Sequence, residues 1–306
     1  MACVQPALWD KYSSGGTEGT YTVGPPDVTD PVQGGFLFNC SLIAVLASLA
    51  WKQKIGDQPT PPYKFTFYRY DQNNNVVGDA ISTDKRLPLD SKGMLMHAKS
   101  ATQTEIWPAL WEKAYYKWLE KLAGIDTDTP DYCNYNQWQS PVTLLFQLTA
   151  KSPYTIKSDG ISSMNADAVF SDIDAVCDNC RFATTRRIRY PAVAWTFDSA
   201  AANPANAANP SDPQYPYSDS TIKEQHCYSL LGVVGKKDSS GKWTDRYIVL
   251  RNPFGPTKGD PNLPGFLYNA AIVWCYTNNL ADTTDGIFAL RADQFVIYFA
   301  GYSRVV

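Results

Sequence analysis

Apolar residues crowd the segment LIAVLASLAW (42–51), where Leu42, Ile43, Val45, Leu46, Leu49 and Ala50 fall around nearly the whole helical circumference. A surface helix carries one apolar stripe, so this pattern predicts a helix buried on all sides. KFTFYRYD (64–71) and VVGDAISTD (76–84) are aromatic and β-branched, and the polar tract QNNN joins them. They predict a hairpin. In EIWPALWEKAYYKWLEKL (105–122), Trp107, Leu110, Trp111, Ala114, Tyr115, Trp118 and Leu122 repeat at helical spacing. Pro108 fits only the first turn of such a helix, with Thr104 as its cap. Residues 1–145 are therefore expected to form a mainly helical lobe behind an extended, Gly/Pro/Thr/Ser-rich arm over 1–32.

The pattern changes over 146–306. YPAVAWTF (190–197), HCYSLLGVV (226–234), RYIVLRN (246–252), AIVWCY (271–276) and FVIYFAG (295–301) are short runs separated by turn residues. They predict an antiparallel sheet or open barrel, preceded by one helix over 165–177. The tract 199–220 is rich in Ala, Asn and Pro and reads as a long loop, a candidate lid. The fold class expected is α+β with two lobes, and a cleft between lobes is a common ligand site.

Composition narrows the function classes. The chain of 306 residues is 44% hydrophobic and 19% charged, which excludes a disordered or fibrous protein. Twenty-seven basic residues against 30 acidic ones leave no polycationic footprint for nucleic acid. No apolar run reaches membrane-spanning length and no secretory leader is visible, so a cytoplasmic protein without a membrane partner is expected. The seven cysteines do not resemble a disulfide framework. Cys177 and Cys180 form a lone C-x-x-C, short of the four ligands of structural zinc. His97 and His226 are the only histidines.

Three residues could carry chemistry together. Cys40 follows QGGFLFN (33–39) and leads into the buried helix, where the positive end of the helix dipole favours thiolate. His226 opens an apolar strand, and Asn252 closes another in RNPFG. A thiol needs a base to hold its proton, and that imidazole needs a third group to fix its tautomer.

The segment QGGFLFNCSLIAVLASL (33–49) resembles the nucleophile segment of the calpain family. The likeness continues through FTFYRYD, STDKRLPLD (82–90) and EIWPALWEKAYYKW (105–118). It resumes at HCYSLLGVV, RNPFG and DGIFALRADQFVIYF (285–299). The resemblance implies a papain-like, two-lobed cysteine protease core with Cys40 as nucleophile, His226 as base and acid, and Asn252 as the orienting residue. His226 and Asn252 stand 26 residues apart, as that family requires.

Several positions depart from the family. Gln33 lies seven residues before Cys40, one further than the oxyanion Gln, so a one-residue bulge would be needed to bring it to the oxyanion hole. Ser41 and Phe254 replace tryptophans, and Gln225 and Ala150 stand where glycines border the bound peptide. The loop after Asn252 carries one acid, Asp260, against the six or more oxygens calcium takes, so no cofactor is expected. The regulatory modules usual in the family are not expected in a chain of this length.

The expected function is an endopeptidase that works through a thioester acyl-enzyme on a peptide. The alternative is a triad-dependent acyltransferase or cyclase that forms an amide on a small acyl substrate. It is suggested by the replaced glycines and the shifted Gln33. A third reading is a binding module on a degenerate fold. The oligomeric state is left open.

Overall fold

A computed structural model describes residues 3–35, 37–58, 60–102, 104–158, 164–180, 182, 184–208, 211–217, 222–255, 273–275, 278–280 and 285–306. The chain divides into two compact units, Met1–Pro153 and Tyr154–Arg304. The first is longer than the 145 residues expected, because a helix not foreseen in the sequence, α3 (Pro141–Thr149), packs on the hairpin of that unit. Ser140 caps α3 by accepting from the Thr143 N–H, and Ala150 ends it in the left-handed region.

In the first unit, α1 (Cys40–Trp51) is buried at all twelve positions, as its pattern requires. The hairpin pairs Tyr63–Tyr70 with Val76–Thr83 in continuous antiparallel register. Helix α2 (Trp107–Leu122) holds Pro108 in its first turn, but its cap is Ile106, not Thr104. Its burial extends well beyond one apolar face and takes in Glu112, Lys113 and Glu120. Lys113 donates to Asp84 at 2.5 Å and to the Arg86 carbonyl at 2.8 Å, so its charge is paired inside.

The second unit is built on an eight-stranded sheet whose described pairings are antiparallel. The strand Cys227–Lys237 lies centrally between Ala192–Thr196, Thr185–Ile188 and Trp243–Arg251, and its first nine residues are buried. Helix α4 (Ala166–Ala175) is capped by Asn165, which accepts from Ala168 N–H at 2.9 Å. Of the run 271–276, only Val273–Trp274 forms a strand among the described residues.

Two expectations are corrected here. The run 295–301 does not form one strand: α5 (Ala292–Tyr298) covers its first part, and the strand begins only at Phe299. Ala292, Phe295 and Val296 recur at helical spacing and are buried, which outweighs the β-branched and aromatic content read from the run alone. The cysteines do form disulfides. Cys3 is bonded to Cys133 and Cys180 to Cys275, with Cα atoms 5.5 and 5.1 Å apart, while Cys40, Cys177 and Cys227 are not. The C-x-x-C is therefore no zinc site, since one of its sulfurs is bonded 95 residues away. Among the described residues, no helix is long and apolar enough to cross a membrane.

The described part of the tract 199–220, read from the sequence as a long loop, is pinned at two points. Asn203 donates to the Ile297 carbonyl at 2.7 Å, and the Tyr217 hydroxyl donates to the Tyr298 carbonyl at 2.6 Å. Both anchors sit on α5, so the described part of the loop is held by buried contacts.

Candidate active site

Cys40 is the first residue of α1, with Asn39 as the half-in residue before it. The Ile43 N–H donates to the Asn39 carbonyl at 3.1 Å and starts the helical ladder. The preceding N–H groups of Cys40, Ser41 and Leu42 lie outside that ladder, at the positive end of the helix dipole. Cys40 is 3% exposed. Tyr116, on α2, is near enough that negative charge at Cys40 contributes to holding the buried phenol well above its ordinary value, chiefly a burial effect.

The loop ahead of Cys40 is clamped from several sides. Pro31–Val32 pairs with Lys99–Ser100, and Gly34 lies so close to the His97 backbone that any Cβ there would collide with it. This close approach accounts for the glycine. Leu37 packs with Tyr116 and Tyr132, and the Phe38 N–H donates to Asn136 Oδ1 at 2.8 Å. Gln33 does not extend away from this loop: its side-chain amide donates to the Leu37 carbonyl at 2.9 Å. Asn39 donates its amide to Glu112, which also accepts from the Ala98 N–H at 3.0 Å.

In the second unit, the pairing of Cys227–Lys237 with Trp243–Arg251, with Ser229 opposite Arg251, puts the start of one strand beside the end of the other. His226 and Asn252 flank those two ends, and His226 Nε2 lies 3.0 Å from Asn252 Oδ1. An amide oxygen only accepts, so Nε2 carries the proton and donates, and Nδ1 keeps the basic lone pair. Asn252 Oδ1 also accepts from the Phe254 N–H at 3.1 Å, and the Asn252 N–H donates to the Gly286 carbonyl at 2.9 Å. The imidazole stacks on Phe254, with centroids 4.6 Å apart and planes 12° from parallel, and meets Tyr228 edge-on. The His226 N–H donates to Thr196 Oγ1 at 3.0 Å, and the Thr196 N–H returns to the His226 carbonyl at 2.9 Å. Burial pushes the imidazole down to about 4, with the Asn252 hydrogen bond opposing and Lys223 adding slightly.

Gln225 and Ala150, the two residues at glycine positions of the resemblance, both adopt left-handed backbone, φ 48° and 60°. The glycine-like backbone persists although the glycines are gone. Gln225 is exposed and its N–H donates to the Phe197 carbonyl at 2.7 Å.

Asp260 lies outside the described residues. Elsewhere, Asp30 and Glu105 form a carboxylate pair sharing the Ser100 hydroxyl. Burial pushes both upward, Glu105 to about 7; the neighbouring Asp30 adds to the rise of Glu105, whereas the charge that adds to Asp30 is that of Asp27 and its hydrogen bond with Glu105 pulls it down. Their oxygens also accept from the Trp107 indole, Asp27 N–H and Val23 N–H. Among the described residues, no group of three or more His, Cys, Asp or Glu is arranged to hold a metal.

Sequence reasoning missed Asn39, Glu112, Thr196 and Tyr228. Glu112 gave one faint signal, a carboxylate one turn before Tyr116 and next to the apolar positions Trp111 and Ala114 of the helix.

Residues 9–130 match the model of the calpain family of cysteine proteases. The calpain-2 catalytic subunit of Mus musculus is 32% identical over 152 residues, which is 43% of this chain and 21% of that protein. Calpain-8 of the same species is 32% identical over 137 residues (40% and 18%), and calpain clp-1 of Caenorhabditis elegans 35% over 99 residues (29% and 12%). The calpain resemblance therefore holds over the segment that carries Cys40, and this part of the chain is similar to the calpain family of cysteine proteases. The matches span about a fifth or less of the relatives' length. His226 and Asn252 lie beyond the family match.

Proposed function

We propose that the protein is a calpain-like cysteine endopeptidase with Cys40 as nucleophile, His226 as base and Asn252 as orienting residue. The observation that carries the reading is the hydrogen bond from His226 Nε2 to Asn252 Oδ1, which leaves Nδ1 as the basic nitrogen. In this reading the Cys40 thiolate attacks the scissile carbonyl and His226 receives the thiol proton. The carbonyl oxygen becomes an oxyanion held by N–H groups at the start of α1. His226 then protonates the departing amine, and water hydrolyses the thioester. The helix dipole at Cys40 favours the attacking thiolate. Gln33 contributes to the oxyanion hole only if its amide leaves the Leu37 carbonyl.

The substrate class proposed is a peptide. No feature of the geometry favours amide formation on a small acyl donor over hydrolysis. We also propose calcium independence, resting on the single acid of the loop after Asn252. Activity unchanged by a chelator is expected; activity abolished by a chelator and restored by calcium alone would overturn it. The two disulfides favour an oxidising compartment over the cytoplasm expected from the sequence.

The deciding experiment is hydrolysis of a peptide library by the wild type, Cys40→Ala and His226→Ala. Cleavage by the wild type alone supports the reading. Full activity in Cys40→Ala, or no cleavage and no labelling of wild-type Cys40 by a thiol-reactive peptide probe, overturns it.

A further inference from the structure

We infer that Glu112 is the positioning residue of the nucleophile, acting through Asn39; the inference rests on the reading of Cys40 as nucleophile. Glu112 projects from α2 and is fully buried. One carboxylate oxygen accepts from Asn39 Nδ2, and the other from the Ala98 N–H at 3.0 Å. Those partners belong to the two segments that frame the loop before Cys40. Ala98 follows His97, the residue against which Gly34 rests, and precedes the Lys99–Ser100 strand that pairs with Pro31–Val32. Asn39 closes the loop, and its carbonyl accepts the first hydrogen bond of α1. One carboxyl group thus ties the loop's entrance to its exit, and Cys40 is the next residue.

The surroundings suit a carboxyl that positions rather than one that pairs with a cation. Glu112 makes no ion pair among the described residues. The groups facing it are the buried phenols Tyr116 and Tyr132, both held well above their ordinary value first by burial and only second by the nearby Glu112. His97, stacked on Tyr132 at 4.7 Å, is kept neutral by burial. Among the described residues, the buried Asn39 Oδ1 has no hydrogen-bond partner. That atom makes the inference testable by a conservative change. In Glu112→Gln the amide oxygen can accept from the Ala98 N–H. After a half-turn of the Asn39 amide, the new NH2 can donate to Asn39 Oδ1. The link between the two segments is kept. In Glu112→Leu it is lost.

The test is the rate at which iodoacetamide alkylates Cys40 relative to Cys177 and Cys227, read by mass spectrometry alongside peptide hydrolysis and thermal melting. A displacement of about 1 Å at a reacting atom can cost ~100-fold. Glu112→Leu is therefore expected to slow both Cys40 alkylation and kcat by about 10-fold or more, with KM little changed. Glu112→Gln is expected to recover to within about 3-fold. If Glu112→Leu does not fold, Asn39→Ala cuts the same link and decides by the same criterion. A folded variant lacking the link, with Cys40 reacting at the wild-type rate, overturns the role of Glu112 alone. Wild-type Cys40 no more reactive than Cys177 and Cys227 overturns the nucleophile reading and this inference with it.

Discussion

His226 and Phe254 lie face to face, 4.6 Å between centroids, while the Phe254 N–H and His226 Nε2 meet at the same oxygen of Asn252. Ring plane and tautomer are thus fixed by two residues of one turn. Deleting a buried hydrogen bond costs about 1–2 kcal/mol, so Asn252→Ala should lower kcat/KM for a peptide by about 10-fold. Phe254→Ala removes a stacking contact of ~0.5–1.5 kcal/mol and should cost only a few-fold. Equal activity in wild type and Asn252→Ala would remove Asn252 from the mechanism.

Ala150 closes α3 at φ 60°, a conformation that carries a penalty of roughly 1–2 kcal/mol for an L residue. Glycine avoids that penalty but loosens the unfolded chain by ~0.4–1 kcal/mol. Ala150→Gly is expected to stabilise by up to about 1 kcal/mol, a rise of a few degrees in Tm. A lower Tm would show that the alanine methyl contributes packing that outweighs the strain. Gln225→Gly, exposed at φ 48°, should shift Tm in the same direction.

The disulfides make a direct chemical prediction. Protein unfolded without reductant should expose three thiols, Cys40, Cys177 and Cys227, out of seven cysteines. Cys3→Ser opens a link that spans 130 residues, and losing a native disulfide typically costs about 2–5 kcal/mol. A clear fall in the unfolding midpoint is expected. Seven reactive thiols under the same conditions would refute both bonds.

Burial holds the Glu112 carboxyl up to about 8, against hydrogen bonds from Ala98 and Asn39 that pull it down. The unfolded chain loses that proton above 4.5, the group's ordinary value, whereas the folded chain keeps it to about 8. Through that window the unfolded state binds fewer protons, so stability falls as pH rises and levels off beyond about 8. Glu112→Gln has no such proton to lose. Its Tm relative to wild type should rise between about pH 5 and about pH 8.5; a constant difference would show that the carboxyl titrates normally.

Local pattern determined much of this protein. The all-round apolar run after Cys40 specifies a buried helix, and the paired β-branched runs specify the hairpin. These signals survive because each rests on neighbours a few residues apart, where 3.6- and 2-residue periodicities are printed directly in the chain. The run 295–301 shows the limit: its residues suit a strand, and packing of Ala292, Phe295 and Val296 made its first half a helix. Only the tertiary structure paired Cys3 with Cys133 and Cys180 with Cys275, tied the 199–220 loop to α5, and buried Glu112 between Asn39 and Ala98. Each of those relationships joins residues distant along the chain, and no periodicity records which distant partner a side chain will meet once the core closes.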